Sequence, residues 1–152
     1  MSGKERVITT LNFKEPDYVP VSDQLIVSKV ASEILGRYAY TGGGEFAKDV
    51  IELLYKGERD FLVERYVEDM VELHTKLGLD FIRVATVPSK DYKETLPEKM
   101  GENLYRFENR ETGNYSIRKF SPSSGEFFTV ETSFDKEGMD ALEREIKYLE
   151  RK

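Results

Sequence analysis

Arg83 is the residue whose type and position most favour ligand chemistry. It interrupts the apolar run Leu79–Val87, which is expected to be a strand buried on both faces. A buried guanidinium must contact a carboxylate, a phosphate or backbone oxygens, because an unpaired buried charge is very costly. The position therefore predicts either structural pairing or a site for an anionic ligand.

Two other features of the sequence invite a chemical interpretation that their context disfavours. His74, the only histidine, lies in an apolar stripe with no acidic partner on its own helix face, so a packed core histidine is expected. Gly42–Gly44 precede a predicted helix, but no strand leads into them and Glu45 would repel a phosphate. A loop without a ligand is the prediction there.

A series of acidic residues could be drawn as a metal site. It lies opposite the apolar stripe of its helix, and no second cluster with ligand spacing occurs elsewhere, so a solvated helix face is expected. The series is Glu64, Glu68, Asp69 and Glu72. No nucleophile–base pair is recognisable, so the sequence predicts no catalytic and no metal-binding residue in this chain.

The composition restricts the classes of partner. The chain has 152 residues, 39% of them hydrophobic, and a formal net charge of -6, which predicts one globular domain that binds neither nucleic acid nor an anionic membrane. It has no cysteine, which excludes disulfides, thiolate nucleophiles and thiolate zinc sites within the chain. No secretory signal or membrane-spanning run is recognisable, so a cytoplasmic location is expected.

The first part of the chain predicts a helix followed by an extended segment. Lys4–Phe13 has the spacing of a short amphipathic helix, which Pro16 ends. A β-strand is expected from Val19 to Val27, although Pro20 cannot donate a ladder hydrogen bond. Alternatively, Ser22 or Asp23 caps a helix that runs to Leu35 and ends at Gly36.

Two further helices and a second strand follow. Glu45–Tyr55 predicts a helix that ends at Gly57. From Asp60 a longer helix is expected to bury a stripe and to end at Gly78, before a strand over Phe81–Val87. The predicted stripe consists of Val63, Val67, Met70, His74 and Leu77. A helix, a glycine and an apolar run are typical of an αβ step in a parallel sheet.

After Pro88 the pattern changes to short alternating runs. "NLYRFEN", "NYSIRKF" and "EFFTVET" are separated by "RETG" and "SPSSG", which predicts an antiparallel meander. A last helix, Asp135–Lys152, has its apolar residues at spacings of three, four and three. The expected organisation is a single domain with helices and two strands in 1–87, the meander in 88–134 and the helix in 135–152.

The stretches "ERVITTLNFKEPDYVPV", "VELHTKLGLDFIRV" and "NLYRFENRETGNYSIRKF" together resemble the uroporphyrinogen decarboxylase superfamily, which includes cobalamin-linked methyltransferases. "KERVITTLNFKEPDYVPV" is similar to the helix that leads into the first barrel strand of these proteins. "VELHTKLGLDFIRV" resembles the helix and second strand of the methyltransferase-like branch, and "GENLYRFENRETGNYSIRKFSPSSGEFFTVET" resembles its β excursion. The resemblance covers almost the whole chain but only the first part of the family's longer barrel.

The resemblance implies an α/β fold, namely the N-terminal part of a TIM (β/α)8 barrel with an antiparallel β meander inserted; alone, such a chain would be classed as α+β. Active sites of these barrels lie at the carboxyl ends of the strands. The implied ligand-binding residues are Asp23, Gln24, Arg83 and Thr86.

The chain departs from the family pattern at its catalytic motifs. The decarboxylases have an "RQAGR" segment after the first strand, where this chain has "SDQLIVSKV", and their essential aspartate aligns with Val87. The methyltransferases hold zinc with histidine and cysteines of the later barrel, and this chain has no cysteine. Zinc and a corrinoid are therefore expected only in a full-length relative, and no cofactor is expected here.

The resulting expectation is an N-terminal segment, a split subunit or a truncated relative of such an enzyme. It would not be catalytic alone and would form one wall of a cleft for a tetrapyrrole or another anionic small molecule. Its partner would be a second copy or a complementary barrel half. The alternative is a stand-alone α+β binding or assembly module that oligomerises through exposed strand edges.

Overall fold

The chain forms two compact units that differ in secondary structure. The computed structural model describes residues 1–83, 87–94 and 96–152. The first unit is Met1–Asp91 and the second unit is Tyr92–Lys152, so the division falls close to the predicted change of pattern after Pro88. Helices and an antiparallel sheet together make the fold α+β. The single-domain organisation stays a prediction.

The helices and strands follow one another in separate blocks along the chain. The first unit has the helices α1 (Gly3–Leu11), α2 (Ser28–Leu35), α3 (Gly43–Lys56) and α4 (Arg59–Leu77). The second unit has a 3₁₀ turn (Tyr92–Glu94), the strands β1 (Glu98–Gly101), β2 (Leu104–Glu108), β3 (Tyr115–Ser121) and β4 (Glu126–Thr132), and the helices α5 (Ser133–Glu137) and α6 (Met139–Leu149). Among the described residues, no helix combines the length and apolar character needed to cross a membrane.

The predicted ends of three helices are confirmed. Gly36, Gly57 and Gly78 follow α2, α3 and α4 in the left-handed conformation that lets glycine close a helix. A small core joins α2 to α4: Ala31 of α2, Leu73 of α4 and Ala39 from the loop after α2 are fully buried. Ile26, Ile34 and Leu35 pack against this cluster and are themselves partly buried.

The buried stripe of α4 differs from the predicted one. The helix buries Leu62, Tyr66, Asp69 and Leu73, which lie one position before the predicted residues, together with His74. Val67 and Leu77 of the predicted stripe are instead exposed. The prediction was wrong because a charged residue, Asp69, occupies a core position, and composition alone assigns such a residue to the surface.

Residues 19–27 do not form the predicted strand. They are not paired in a ladder and contain a bend at Gln24, and α2 begins only at Ser28, so neither the strand nor a helix capped by Ser22 or Asp23 is present. Pro20 has no N–H to donate, and a strand needs a row of backbone partners on its neighbour. Residues 81–83 are likewise not in a strand, and the rest of the predicted second strand lies partly outside the described residues.

The second unit contains the predicted meander. Its sheet has the order β1-β2-β3-β4, and each strand is antiparallel to the next. β1 was not predicted, because Glu98–Gly101 contains no β-branched or aromatic residue and forms a strand only through pairing with β2. A bulge interrupts the ladder between β3 and β4: Ile117 pairs with Glu131 and Arg118 with Thr129, which leaves Val130 without an opposite residue.

The predicted C-terminal helix is divided into two. α5 ends at Gly138, whose φ of 55° interrupts the helix, and α6 begins at the next residue. Asn114 attaches α6 to the turn between β2 and β3. Its Nδ2 donates to the Ala141 carbonyl at 3.1 Å and to the Glu145 carboxylate at 2.9 Å.

Candidate functional site

Two segments that are neither helix nor strand, residues 19–25 and 80–83, contact each other in the first unit; we refer to them as the paired segments. The Asp80 N–H donates to the Val21 carbonyl at 2.8 Å, and the Val21 N–H donates to Asp80 Oδ2 at 2.8 Å. One residue further on, Ser22 Oγ donates to the Phe81 carbonyl at 2.8 Å. The contacts advance in the same direction along both segments, and the first of them joins backbone to backbone while the other two involve side chains.

A buried arginine of α1 holds the beginning of both segments. Arg6 Nε donates to Asp17 Oδ1 at 2.7 Å and Nη2 donates to Asp17 Oδ2 at 3.2 Å, a two-pronged contact. Its Nη1 donates to Asp80 Oδ1. The Arg6 guanidinium also lies over the Tyr18 ring, 3.4 Å from its centroid. Arg6 therefore ties α1 to a residue that is 74 positions away in sequence.

The charges of this contact reinforce one another. The hydrogen bond from Arg6 holds the pKa of the Asp17 carboxyl well below its ordinary value, and the hydrogen bond to Asp17 raises the pKa of Arg6. Both side chains are therefore charged at neutral pH. Each already has its partner, so this contact positions the paired segments rather than offering a reactive group.

The predicted ligand-binding residues follow the contacting residues along each of the paired segments. Asp23 and Gln24 are exposed, and Asp23 Oδ1 accepts the Leu25 N–H at 2.9 Å in a local turn. Arg83 is exposed as well, which corrects the prediction that it is buried in a strand. The structure therefore brings Asp23, Gln24 and Arg83 onto neighbouring segments, all accessible to solvent. Thr86 lies outside the described residues.

The paired segments also expose large apolar side chains. Val19 is 75% exposed, and Val21, Leu25 and Phe81 are about half exposed, between 48% and 58%. Phe13, just after α1, is 100% exposed. Single exposed apolar residues are normal on a protein surface, but several on adjoining backbone segments form a surface suited to a partner.

Asp69 is a buried charge that the sequence did not reveal. It is 0% exposed, and its carboxylate accepts from Arg37 Nη1 at 2.5 Å, from Arg65 Nη2 at 3.0 Å and from the Tyr40 N–H at 2.7 Å. These donors satisfy the carboxylate, so its role is structural. The other acidic residues of the series are exposed as predicted, namely Glu64, Glu68 and Glu72.

The histidine and the triple glycine have structural roles. His74 is buried and its Nδ1 lies 2.8 Å from the Met70 carbonyl oxygen, which confirms the packed histidine. A Cβ at Gly42 would lie 2.3 Å from Leu25 Cδ1, so glycine permits this close approach. The Gly42 N–H donates to Ser28 Oγ at 3.3 Å and is not available to a phosphate.

The described residues form no metal-binding cluster, and comparison with known proteins gives no match. Within the part of the chain that the structure describes, no group of three or more His, Asp or Glu side chains is placed to hold a metal ion. No protein-family model, curated protein or solved structure matches the chain.

Proposed function

We propose that the chain is the N-terminal part of a barrel enzyme of the uroporphyrinogen decarboxylase superfamily, from the methyltransferase-like branch, and that it is not catalytic alone. The observation that carries the proposal is the pairing of Val21 with Asp80 and of Ser22 with Phe81. In a (β/α)8 barrel, the first two strands are neighbours and run parallel, and the chain between them is helical. The paired segments follow α1 and α4 in that order.

The Arg6 contact lies at the amino ends of the paired segments, which leaves their carboxyl ends for a ligand in this proposal. Arg6 holds Asp17, which precedes the first segment, and Asp80, which is the first residue of the second segment. Asp23, Gln24 and Arg83 come later along the segments, at their carboxyl ends, where barrel enzymes bind substrate. In this proposal, the exposed Arg83 attracts an anionic group such as a tetrapyrrole carboxylate, and Asp23 and Gln24 supply hydrogen bonds.

The exposed apolar residues support the proposal that a complementary barrel half packs against this chain. Val19, Val21 and Phe81 would be covered if further barrel strands packed beside the paired segments. The complementary half would also supply the chemistry. Zinc and a corrinoid would be held there, because this chain offers no thiolate ligand. A chain with Val87 at the aspartate position would likewise not decarboxylate a porphyrinogen by itself.

The test is a titration of the purified chain with hydroxocobalamin and with a carboxylated porphyrin. We expect one of them to bind and Arg83→Ala to weaken its binding by about 10-fold, through loss of a charge-assisted contact. Arg110→Ala, another exposed arginine, is the matched control and should leave the binding unchanged. If neither ligand binds the unaltered chain, the proposal of a ligand cleft is wrong.

A stand-alone assembly module is the second candidate function, and the edge of β4 favours it. β4 is the last strand of the sheet, and its residues Phe128 and Val130 are about half exposed, at 50% and 56%. An uncovered edge strand with apolar side chains can pair with another chain. In this case the chain would oligomerise through its second unit and would bind no tetrapyrrole.

Sedimentation of two variants at micromolar concentration separates the candidates. Val19→Asp should dissociate an assembly made through the paired segments, whereas Val130→Lys should dissociate one made through β4, because lysine on an edge strand opposes pairing. Both side chains are exposed, so neither change should unfold the chain. A compact monomer for the unaltered chain would contradict both forms of assembly.

A further inference from the structure

A shallow cavity of about 380 Å³, largely open to solvent, lies on one face of the sheet in the second unit. Its floor is a row of three residues that are paired across neighbouring strands: Phe107 of β2, Ser116 of β3 and Thr132 of β4. Arg118 and Phe134 also line it. Its volume is within the range of about 300–1,000 Å³ that is usual for small-molecule pockets.

Arg118 is the unpaired cation of this cavity. Its Nε donates to Ser116 Oγ at 3.1 Å, and its guanidinium lies 4.9 Å from the centroid of the Phe107 ring. The nearby Arg106 and Arg144 contact carboxylates at 2.7 Å and 2.5 Å, but Arg118 has no carboxylate partner among the residues described. Its two terminal nitrogens are therefore free to donate in parallel to a planar anion.

The other polar groups of the lining are mostly committed to the protein. The Glu108 carboxylate is paired with Arg106 at 2.7 Å, and Thr132 Oγ1 donates to Asp135 at 2.7 Å. Ser116 Oγ already accepts from Arg118, so its own hydrogen remains available to donate to a ligand. Arg118 and Ser116 are among the donors that remain, and both favour an acceptor with negative charge.

The apolar part of the lining restricts the ligand further. Phe107 of the floor has its ring under the Arg118 guanidinium, and Phe134, which is 45% exposed, lines the cavity as a second ring. Two aromatic rings favour a flat apolar body over a fully hydrated ion such as sulfate. A small ligand of this kind would place its charged end at Arg118 and its body against the rings.

We propose that this cavity binds a small organic carboxylate with a flat apolar body. The carboxylate receives two N–H donors from Arg118 and one O–H donor from Ser116, and the body packs against Phe107 and Phe134. The site consists only of residues of the second unit, so it is independent of the function proposed for the paired segments.

The test uses benzoate as the probe and follows amide chemical shifts of the full chain. We expect the shifts of residues around the cavity to saturate with benzoate and Arg118→Gln to weaken binding by about 10-fold or more, since the ion pair is lost. Phe134→Ala should weaken it by about 3-fold, because one apolar wall is removed. Both side chains are exposed, so both variants should keep their fold.

Three controls make the test specific. Arg110→Gln removes the same charge from the exposed turn outside the cavity and should leave the affinity unchanged. Benzamide, which has the same shape without the charge, should bind at least about 10-fold more weakly, and so should inorganic phosphate. The proposal is overturned if benzoate does not saturate the shifts by about 10 mM, or if benzamide or phosphate binds equally well. An equal loss of affinity in Arg110→Gln and Arg118→Gln would also overturn it.

Discussion

The polar groups that the two units bury are of different kinds. Among the described residues, the first unit buries the charged Arg6 and Asp69 in addition to uncharged polar side chains such as Ser28 and Thr41. The polar side chains that the second unit buries are all uncharged, namely Thr112, Asn114 and Ser133. Arg6 and Asp69 contact partners that are up to 74 residues away in sequence. The second unit is instead held by ladders between consecutive strands and by contacts among aromatic rings.

This difference predicts how each unit responds to substitution. A buried ion pair adds little net stability over an apolar core, but removing one partner leaves a buried charge that is neither paired nor hydrated. An aromatic cluster loses only the contacts of the ring that is altered. We therefore expect single substitutions to have a larger effect on the first unit than on the second.

Asp69→Ala should have the largest effect. The change leaves the Tyr40 N–H without its acceptor and removes one of the two carboxylates that Arg37 and Arg65 each contact. Both arginines are partly exposed, so we expect the free energy of unfolding of the first unit to fall by about 2–3 kcal/mol. Urea denaturation followed by hydrogen exchange of the amides of each unit measures the change. Glu64→Ala, an exposed acid on the same helix, should cost less than about 0.5 kcal/mol. Equal costs would mean that Asp69 is not a structural charge.

Acid should destabilise the first unit through Asp17. Its pKa in the folded state is below the ordinary value of 3.8, chiefly because of the hydrogen bond from Arg6, so the unfolded chain takes up the proton more readily. The stability that Asp17 contributes is complete well above pH 3.8 and is lost as the pH falls below that value. Acid titration of the first unit should show this loss in the unaltered chain but not in Asp17→Asn. A loss of the same size in both would refute the assignment.

Phe127→Leu tests the aromatic cluster of the second unit. Phe127 makes edge-to-face contacts with Tyr105, Phe107 and Phe120 at centroid distances of 5.8, 6.4 and 5.3 Å. Leucine keeps most of the apolar area but not the ring contacts, so we expect a loss of about 1–2 kcal/mol, measured by thermal unfolding of this unit. The neighbouring Phe128 side chain is half exposed on the other face of the sheet. Phe128→Leu should therefore change the stability by less than about 0.5 kcal/mol.

Loss of a helix N-cap should have the smallest effect on stability, and this effect should be equal in the two units. Ser2 and Thr132 each cap a helix through a reciprocal pair of hydrogen bonds, with Glu5 and with Asp135. Replacing either hydroxyl residue by alanine should cost about 1 kcal/mol in its own unit, whereas Thr132→Ser should retain most of the stability. Hydrogen exchange of the first-turn amides of α1 and α5 measures the effect. A clear difference between the two alanine variants would show that helix capping also depends on the surrounding unit.

The sequence predicted those features that depend on near neighbours. The helix ends at Gly36, Gly57 and Gly78 and the turns of the meander were found, because a glycine or a turn signal acts within a few residues. The strand expected from Val19 was not found, because a run of β-formers becomes a strand only when another backbone supplies hydrogen-bond partners.

The candidate site was predicted only in part, for a similar reason. Asp23, Gln24 and Arg83 were singled out and do lie on neighbouring segments, but Arg83 was expected to be buried and is exposed. The burial of Asp69 could not be inferred, because its partners Arg37 and Tyr40 are about 30 residues away and on a different element. Arg118 was also missed, since its cavity is formed only when β2, β3 and β4 come together.

The bulge opposite Ile117 and Arg118 has a consequence for changes in chain length. On either side of Val130, the strand keeps its alternation, with Thr129 facing the same way as Arg118 and Glu131 the same way as Ile117. Removing Val130 would therefore close the ladder into a regular one without turning any side chain to the opposite face, although a one-residue deletion in a regular strand normally reverses every residue beyond it. At this position the sheet can accept a chain that is one residue shorter.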